Sequence, residues 1–181
     1  MDLFNVTSDS LFTLASSQNA QREQFAGQAL VKGLEAYSSG DYRAAVQSFR
    51  QAIGYAPQSE SALNAYDYTA RAQYALGQTA AAIDAYQSLL KAAPARDDIR
   101  LALASIYMNE GMTEEAHREY EEAVRINPTP ANRYSLGNSY LAKGLVGQAR
   151  AQFEIVRRET PTEPYGNFGI GLANAREGNY D

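Results

Sequence analysis

Apolar and polar positions along the chain follow a helical period that is broken at regular intervals. Glycines recur at Gly40, Gly77, Gly111, Gly144 and Gly178, which are 37, 34, 33 and 34 residues apart. A proline stands seventeen residues after each of the first four, at Pro57, Pro94, Pro128 and Pro161. Three apolar positions keep phase between them. Ala45, Ala82, Ala116 and Ala149 come five residues after the glycine, Phe49, Tyr86, Tyr120 and Phe153 nine after it, and Ala52, Leu89, Ala123 and Val156 twelve after it. Offsets of four and seven residues fall on one face of an α-helix. From glycine to proline there is room for one helix of about 13 residues, roughly 20 Å long. Glycine admits the left-handed turn that reverses the chain before that helix. Proline cannot continue the hydrogen-bond ladder and biases its predecessor away from helix. The small residue lets a neighbouring helix approach, and the ring fills the space beyond the contact. A second apolar-periodic stretch precedes each glycine, as in RLALASIYMNEG (100–111) and NRYSLGNSYLAKG (132–144). The pattern predicts an all-α chain of repeating units, each a helix, a turn, an antiparallel helix and a turn.

These residues resemble the tetratricopeptide repeat. The fourth copy matches the family pattern at Leu136, Gly137, Tyr140, Gly144, Ala149, Phe153 and Pro161, and the third at Leu103, Ala104, Tyr107, Gly111, Ala116, Tyr120, Ala123 and Pro128. The first keeps Gly33, Gly40, Ala45, Phe49, Ala52 and Pro57 but has Lys32 where leucine is usual. The second has Ala70 at the small position and Gln73 in place of tyrosine, and its three extra residues are assigned to a longer link near QSES. Pentatricopeptide RNA readers have nearly the same period, but their basic surface is missing here. The resemblance implies a right-handed α-solenoid of stacked antiparallel helix pairs. Its boundaries are an N-terminal arm or cap at 1–25, then units at 26–62, 63–96, 97–129 and 130–163, and the first helix of a fifth at 164–181. That last stretch carries an apolar face where a capping helix would be polar, so the natural chain is expected to continue.

Composition narrows the function classes. The chain has 181 residues, 45% of them hydrophobic and 20% charged, with a net charge of −5. That is the composition of a folded domain and the wrong sign for a phosphate-backbone binder. There is no cysteine and one histidine, which argues against a disulfide framework and a zinc centre. No apolar run is long enough to span a membrane, and no signal peptide is legible at the start, so the cytoplasm is favoured. No cofactor, metal or nucleic acid is expected. Asn5-Val6-Thr7 has the form of a glycosylation sequon and carries no weight.

Candidate chemistry points to recognition rather than catalysis. His117 is read as a solvated residue on an outer helix, and Glu114, Glu115, Glu119, Glu121 and Glu122 as a solvated face. Glu114 with Arg118, and Glu121 with Arg125, have the favourable i, i+4 order. The resemblance implies that the first helix of each unit lines an inner wall. Carried over position by position, that wall comprises Leu30, Leu34, Tyr37, Asp67, Arg71, Tyr74, Leu101, Met108, Asn109, Tyr134, Asn138, Leu141, Tyr165, Phe168 and Leu172. Asp98, Ser105 and Ala142 share its register. So apolar a surface marks a binding groove for a peptide or helix. The family's clamp for chaperone tails is a Lys/Asn, Asn, Lys/Arg set whose positions correspond to Leu30, Leu34, Tyr68, Asp98 and Ala102, or to Asp67, Arg71, Ala102, Ala131 and Ser135, and neither register supplies its cations. The expected function is a non-catalytic protein-interaction scaffold. The alternatives are a regulatory region of a larger enzyme and a self-assembly module that uses the N-terminal arm, with Leu11, Phe12 and Leu14, or the exposed last helix.

Overall fold

The computed structural model describes residues 8–178, and all the regular structure among them is α-helix. The chain divides into two compact units, Met1–Ala93 and Pro94–Asp181. In the first, α1 (Ser8–Ser38), α2 (Tyr42–Tyr55), α3 (Glu60–Ala75) and α4 (Thr79–Ala92) pack each on the next, and α1 also lies against α3. In the second, α5 (Asp97–Asn109), α6 (Thr113–Ile126), α7 (Pro130–Ala142), α8 (Val146–Glu159) and α9 (Tyr165–Glu177) pack in the same succession, with α7 beside α9.

The punctuation read from the sequence sets the helix ends. The five periodic glycines have φ between +73° and +81°, the region an L side chain rarely enters. Helices α2, α4, α6 and α8 stop at Tyr55, Ala92, Ile126 and Glu159, two residues before the four prolines. The residue before each proline has left the helical region, with φ of −144°, −137°, −140° and −129° and positive ψ. Asp41, Ser59 and Thr129 cap α2, α3 and α7 by accepting the backbone N–H of Ala44, Ala62 and Asn132.

Packing rests on small residues meeting rings. Ala45, Ala82, Ala116 and Ala149 are fully buried, as are Phe49 and Phe153. The Phe49 ring lies so close to α1 that a Cβ on Gly33 would stand 2.4 Å from it. Phe153 is held from two sides, since a Cβ on Gly137 of α7 would stand 2.5 Å from the ring and one on Gly169 of α9 2.3 Å. Burial of each ring contributes about 1.5–3 kcal/mol. Tyr86 occupies the same place in the first unit's second pair and is buried, while Tyr120 is only half-buried.

Four expectations change. The three extra residues of the second copy do not lengthen a link. Residues 56–59 make a link as short as 93–96, and α3 has 16 residues where α5 and α7 have 13. Ser59 caps the helix early enough to absorb them as an added turn. Among the described residues, 11–25 form no cap over the first unit, since they are exposed throughout. The stretch has no glycine or proline before Gly27 to break the helix, so α1 runs straight on past Phe25, whose ring meets that of Tyr55 at the end of α2. Arg118 and Arg125 pair at i, i+3 with Glu115 and Glu122, while Glu114 reaches Lys143 just past the end of α7.

His117 is not solvated but 5% exposed, on the face of α6 that meets α7. Its Nδ1 lies 2.9 Å from Ser139 Oγ, and its ring stands edge-on to Tyr140 at 4.7 Å. Ser139 Oγ also reaches the Leu136 carbonyl, so the hydroxyl is shared between the backbone of α7 and the imidazole. Nε2 is 3.3 Å from Glu121. Burial holds the imidazole below its ordinary value of 6.5, assisted by Lys143 and opposed by Glu121 and Glu114.

Two outcomes are expected. Helix propensity alone would make Gly137→Ala stabilising by about 0.8–1.0 kcal/mol. The clash with Phe153 should reverse the sign to a loss of about 1–3 kcal/mol in denaturant titration, and adding Phe153→Leu should recover part of it non-additively. The depressed His117 means that the unfolded chain takes up the proton first, so stability present above the mid-6 range should be lost as pH falls through and below that range. Melting temperature followed across that window should slope downward in the wild type and flatten in His117→Gln.

Candidate functional site

In the second unit the start of α7 shapes the candidate site. Thr129 caps the helix and Pro130 occupies its first position, where a missing N–H costs nothing. The next turn then presents Ala131, Tyr134 and Ser135 on one side. Across from them, Gly166 lets the start of α9 close onto α8, since a Cβ there would stand 2.5 Å from the backbone of Arg157. That approach brings Tyr165 to 6.0 Å from Tyr134, ring centre to ring centre, while Tyr134 leans on Phe153 at 5.5 Å.

Between them opens a groove of about 530 Å³ lined by Pro130, Ala131, Tyr134, Val156, Thr160 and Tyr165, with Glu163 among its polar residues. Ser135 and Thr160 donate their hydroxyl hydrogens to the Ala131 and Val156 carbonyls, which leaves the lining mostly apolar. Along α9, Phe168 and Leu172 follow Tyr165 at three and seven residues, hence on the same side. Tyr165 is 55% and Phe168 60% exposed. On α7, Asn138 and Leu141 are half-buried, as are Leu101 and Met108 on α5, while Asn109 is exposed.

The first unit treats its candidates differently. Leu30, Leu34 and Tyr37 are half-buried against a buried cluster of Ala29, Ala45, Phe49, Ala52 and Ala65. Tyr37 meets the rings of Tyr42 and Tyr68 edge-on, at 5.2 and 5.4 Å. Asp67 and Arg71 pair with each other at 2.8 Å, and the Arg71 guanidinium also sits 5.8 Å above the Tyr68 ring. The hydrogen bond that Arg71 donates to Asp67 raises its pKa further, and burial, with Asp67 adding to it, pushes the Tyr86 hydroxyl up to about 12. Tyr74 is exposed.

The structure thus brings Tyr134 and Tyr165 into one groove and ties Asp67 to Arg71. Reading the sequence missed Pro130, Thr160 and Glu163, and assigned Val156 to the core alone. The Thr-Pro helix start was the visible signal for Pro130; the link that positions Glu163 has no period to betray it. Among the described residues, no three acidic, histidine or cysteine side chains come together to hold a metal, and no helix is long and apolar enough to cross a membrane.

Two tetratricopeptide repeat family models match the chain, one over residues 73–136 and the other over 30–66 and 134–181. No curated protein matches it by sequence. Among solved structures it is similar to a tetratricopeptide repeat protein from Parabacteroides merdae, with a TM-score of 0.80, 22% identity, and coverage of 87% of this chain and 62% of that one. It is also similar to MamA from Desulfovibrio magneticus, with a TM-score of 0.72, 15% identity, and 86% of each chain covered. A third is YrrB, described as a tetratricopeptide repeat protein with an unusual peptide-binding site, with a TM-score of 0.66, 18% identity, and coverage of 82% of this chain and 76% of that one. At these identities the likeness to solved structures is one of fold. The repeat matches, the five left-handed glycine turns and the antiparallel helix pairs agree: this chain belongs to the tetratricopeptide repeat family, whose fold is a solenoid of stacked helix pairs.

Proposed function

We propose that the chain is a non-catalytic scaffold that binds a peptide segment of a partner protein, anchored in the groove between α7 and α9. Tetratricopeptide repeats are in general protein-interaction scaffolds, which supports the wider reading. The anchoring reading rests on one observation: the Tyr134–Tyr165 groove is preformed, apolar and continuous with the exposed Phe168 and Leu172. Tyrosine suits such a wall because it offers a large contact area at low conformational cost and keeps a polar end. Glu163 favours a ligand with a basic residue beside its apolar anchor. A peptide-binding site in the similar YrrB fits the same proposal.

A second reading is favoured by α1. Its exposed stretch carries Leu11, Phe12 and Leu14, which would be covered if copies associate through it.

Selection of a random peptide library against the protein should enrich aliphatic or aromatic anchors with a neighbouring lysine or arginine. Tyr165→Ala with Phe168→Ala removes exposed rings, so melting should shift little, while affinity for a selected peptide in calorimetry should fall at least tenfold. Failure to enrich any motif, or unchanged affinity in the double variant, would remove the groove from the proposal. For the second reading, light scattering across a concentration series should show mass rising with concentration, and deletion of residues 1–17 should abolish the rise. A constant monomer mass would exclude it.

A further inference from the structure

Helix α1 is more than twice as long as the α2 it packs on, 31 residues against 14. Phe25 meets Tyr55, the last residue of α2, so the part of α1 before Phe25 runs on past the end of α2. That part is not a uniformly polar rod. An α-helix completes five turns in about 18 residues. Leu11 therefore stands in line with Ala29, Phe12 with Leu30, and Ala15 with Gly33. Ala29 is buried, Leu30 packs on the same cluster, and Gly33 lies under the Phe49 ring of α2. The face that α1 turns to α2 thus continues toward its tip, and there Leu11, Phe12 and Leu14 are each more than half exposed.

At the foot of this bare face lies a notch of about 490 Å³. Asn19, Arg22 and Glu23 of α1 form one wall, and Tyr55 with the link that follows it forms the other. Because α2 ends there, the notch sits at the negative pole of that helix.

We propose that this face is covered by the same stretch of α1 from a second copy, lying antiparallel across a two-fold axis with its tip in the notch. The inference rests on the reading of association through α1 given above, and it names the surface that α1 meets. The bare face continues the one that α2 covers, so its occupant is a helix in line with α2. A parallel copy does not fit, because its own α1 would have to run on into the space that α2 fills. An antiparallel copy runs the other way and stops end-on at α2, where the positive pole of its first turn meets the negative pole of α2. The notch also sets the register. It places Leu11 of one copy opposite Arg22 of the other, whose aliphatic stem can cover the leucine while its charge stays in water. The two-fold axis fills both notches at once, and the assembly closes at two copies. Insertion of α1 into the α7–α9 groove of another copy would join unlike surfaces, leave the notch empty and permit open-ended growth.

The test uses the whole chain in light scattering and in thiol cross-linking. Mass should rise with concentration and stop at two copies, and Tyr165→Ala with Phe168→Ala should leave that dimer unchanged. Leu11→Ser with Leu14→Ser alters exposed positions only, so helical content should hold while dimerisation weakens at least tenfold. The chain has no cysteine, so an introduced thiol reports without background. A short thiol linker should join a mixture of Leu11→Cys and Arg22→Cys. It should join neither variant to itself, since like residues then stand about 16 Å apart along the helix. Linking of Leu11→Cys to itself, or a dimer that the mixture fails to link, would overturn the antiparallel arrangement. Mass that climbs beyond two copies, or a dimer lost in the Tyr165→Ala, Phe168→Ala variant, would place α1 in the groove and overturn it too. A constant monomer mass would remove association through α1 altogether, and this inference with it.

Discussion

A benzene ring pressed onto bare backbone is the contact on which the packing of α1 on α2, α7 on α8 and α8 on α9 depends. Phe49 against Gly33, and Phe153 between Gly137 and Gly169, require neighbouring helices to approach more closely than any side chain at those glycines would allow. Glycine inside a helix costs about 1 kcal/mol against alanine. The sequence tolerates that at Gly33, Gly137 and Gly169 because a buried ring returns more through burial and dispersion. The same contact positions the surface: Tyr134 leans on Phe153, and Tyr165 leans toward Tyr134. Recognition and stability in the second unit therefore share one chain of rings, buried at one end and exposed at the other.

Much of the fold was legible because each feature that shapes it is both local and repeated. Left-handed glycines, prolines two residues past a helix end and alanines at the close contact need no long-range information. What was misread depends on partners distant in sequence. His117 looked like one polar residue among glutamates, and only the arrival of Ser139 and Tyr140 from the next helix makes it part of an interior. The three extra residues of the second copy could enter a loop or a helix, and Ser59 settles this through a cap that depends on chain direction rather than on period. The candidate wall was legible as a register but not as a surface. Leu30, Leu34 and Tyr37 hold the same register as Phe168 and Leu172, yet pack against a buried cluster.

Departures from the period mark the places where chemistry is possible. Where α5 and α7 keep leucine and tyrosine, the space is filled by apolar side chains; where α3 has Thr69 and Gln73, two oxygens are buried without a partner among the described residues. A repeat protein can thus change the polarity of its interior by exchanging two side chains without altering a helix, a turn or the spacing between them.

In the second unit, rings and alanines resist separation but offer little resistance to sliding. Asn132 changes that. Its side chain, almost wholly buried, donates to Asp97 at the start of α5 and to the Asn127 carbonyl in the link before α7, while Asn127 donates to the same carboxylate. Hydrogen bonds are directional, so this knot near the beginnings of α5 and α7 sets their rotational phase. The His117–Ser139 bond fixes the phase of α6 against α7 in the same way. Greasy contacts supply cohesion here and a few buried polar atoms supply alignment, so exchanging those atoms for hydrocarbon could leave the unit as stable and yet let its helices turn.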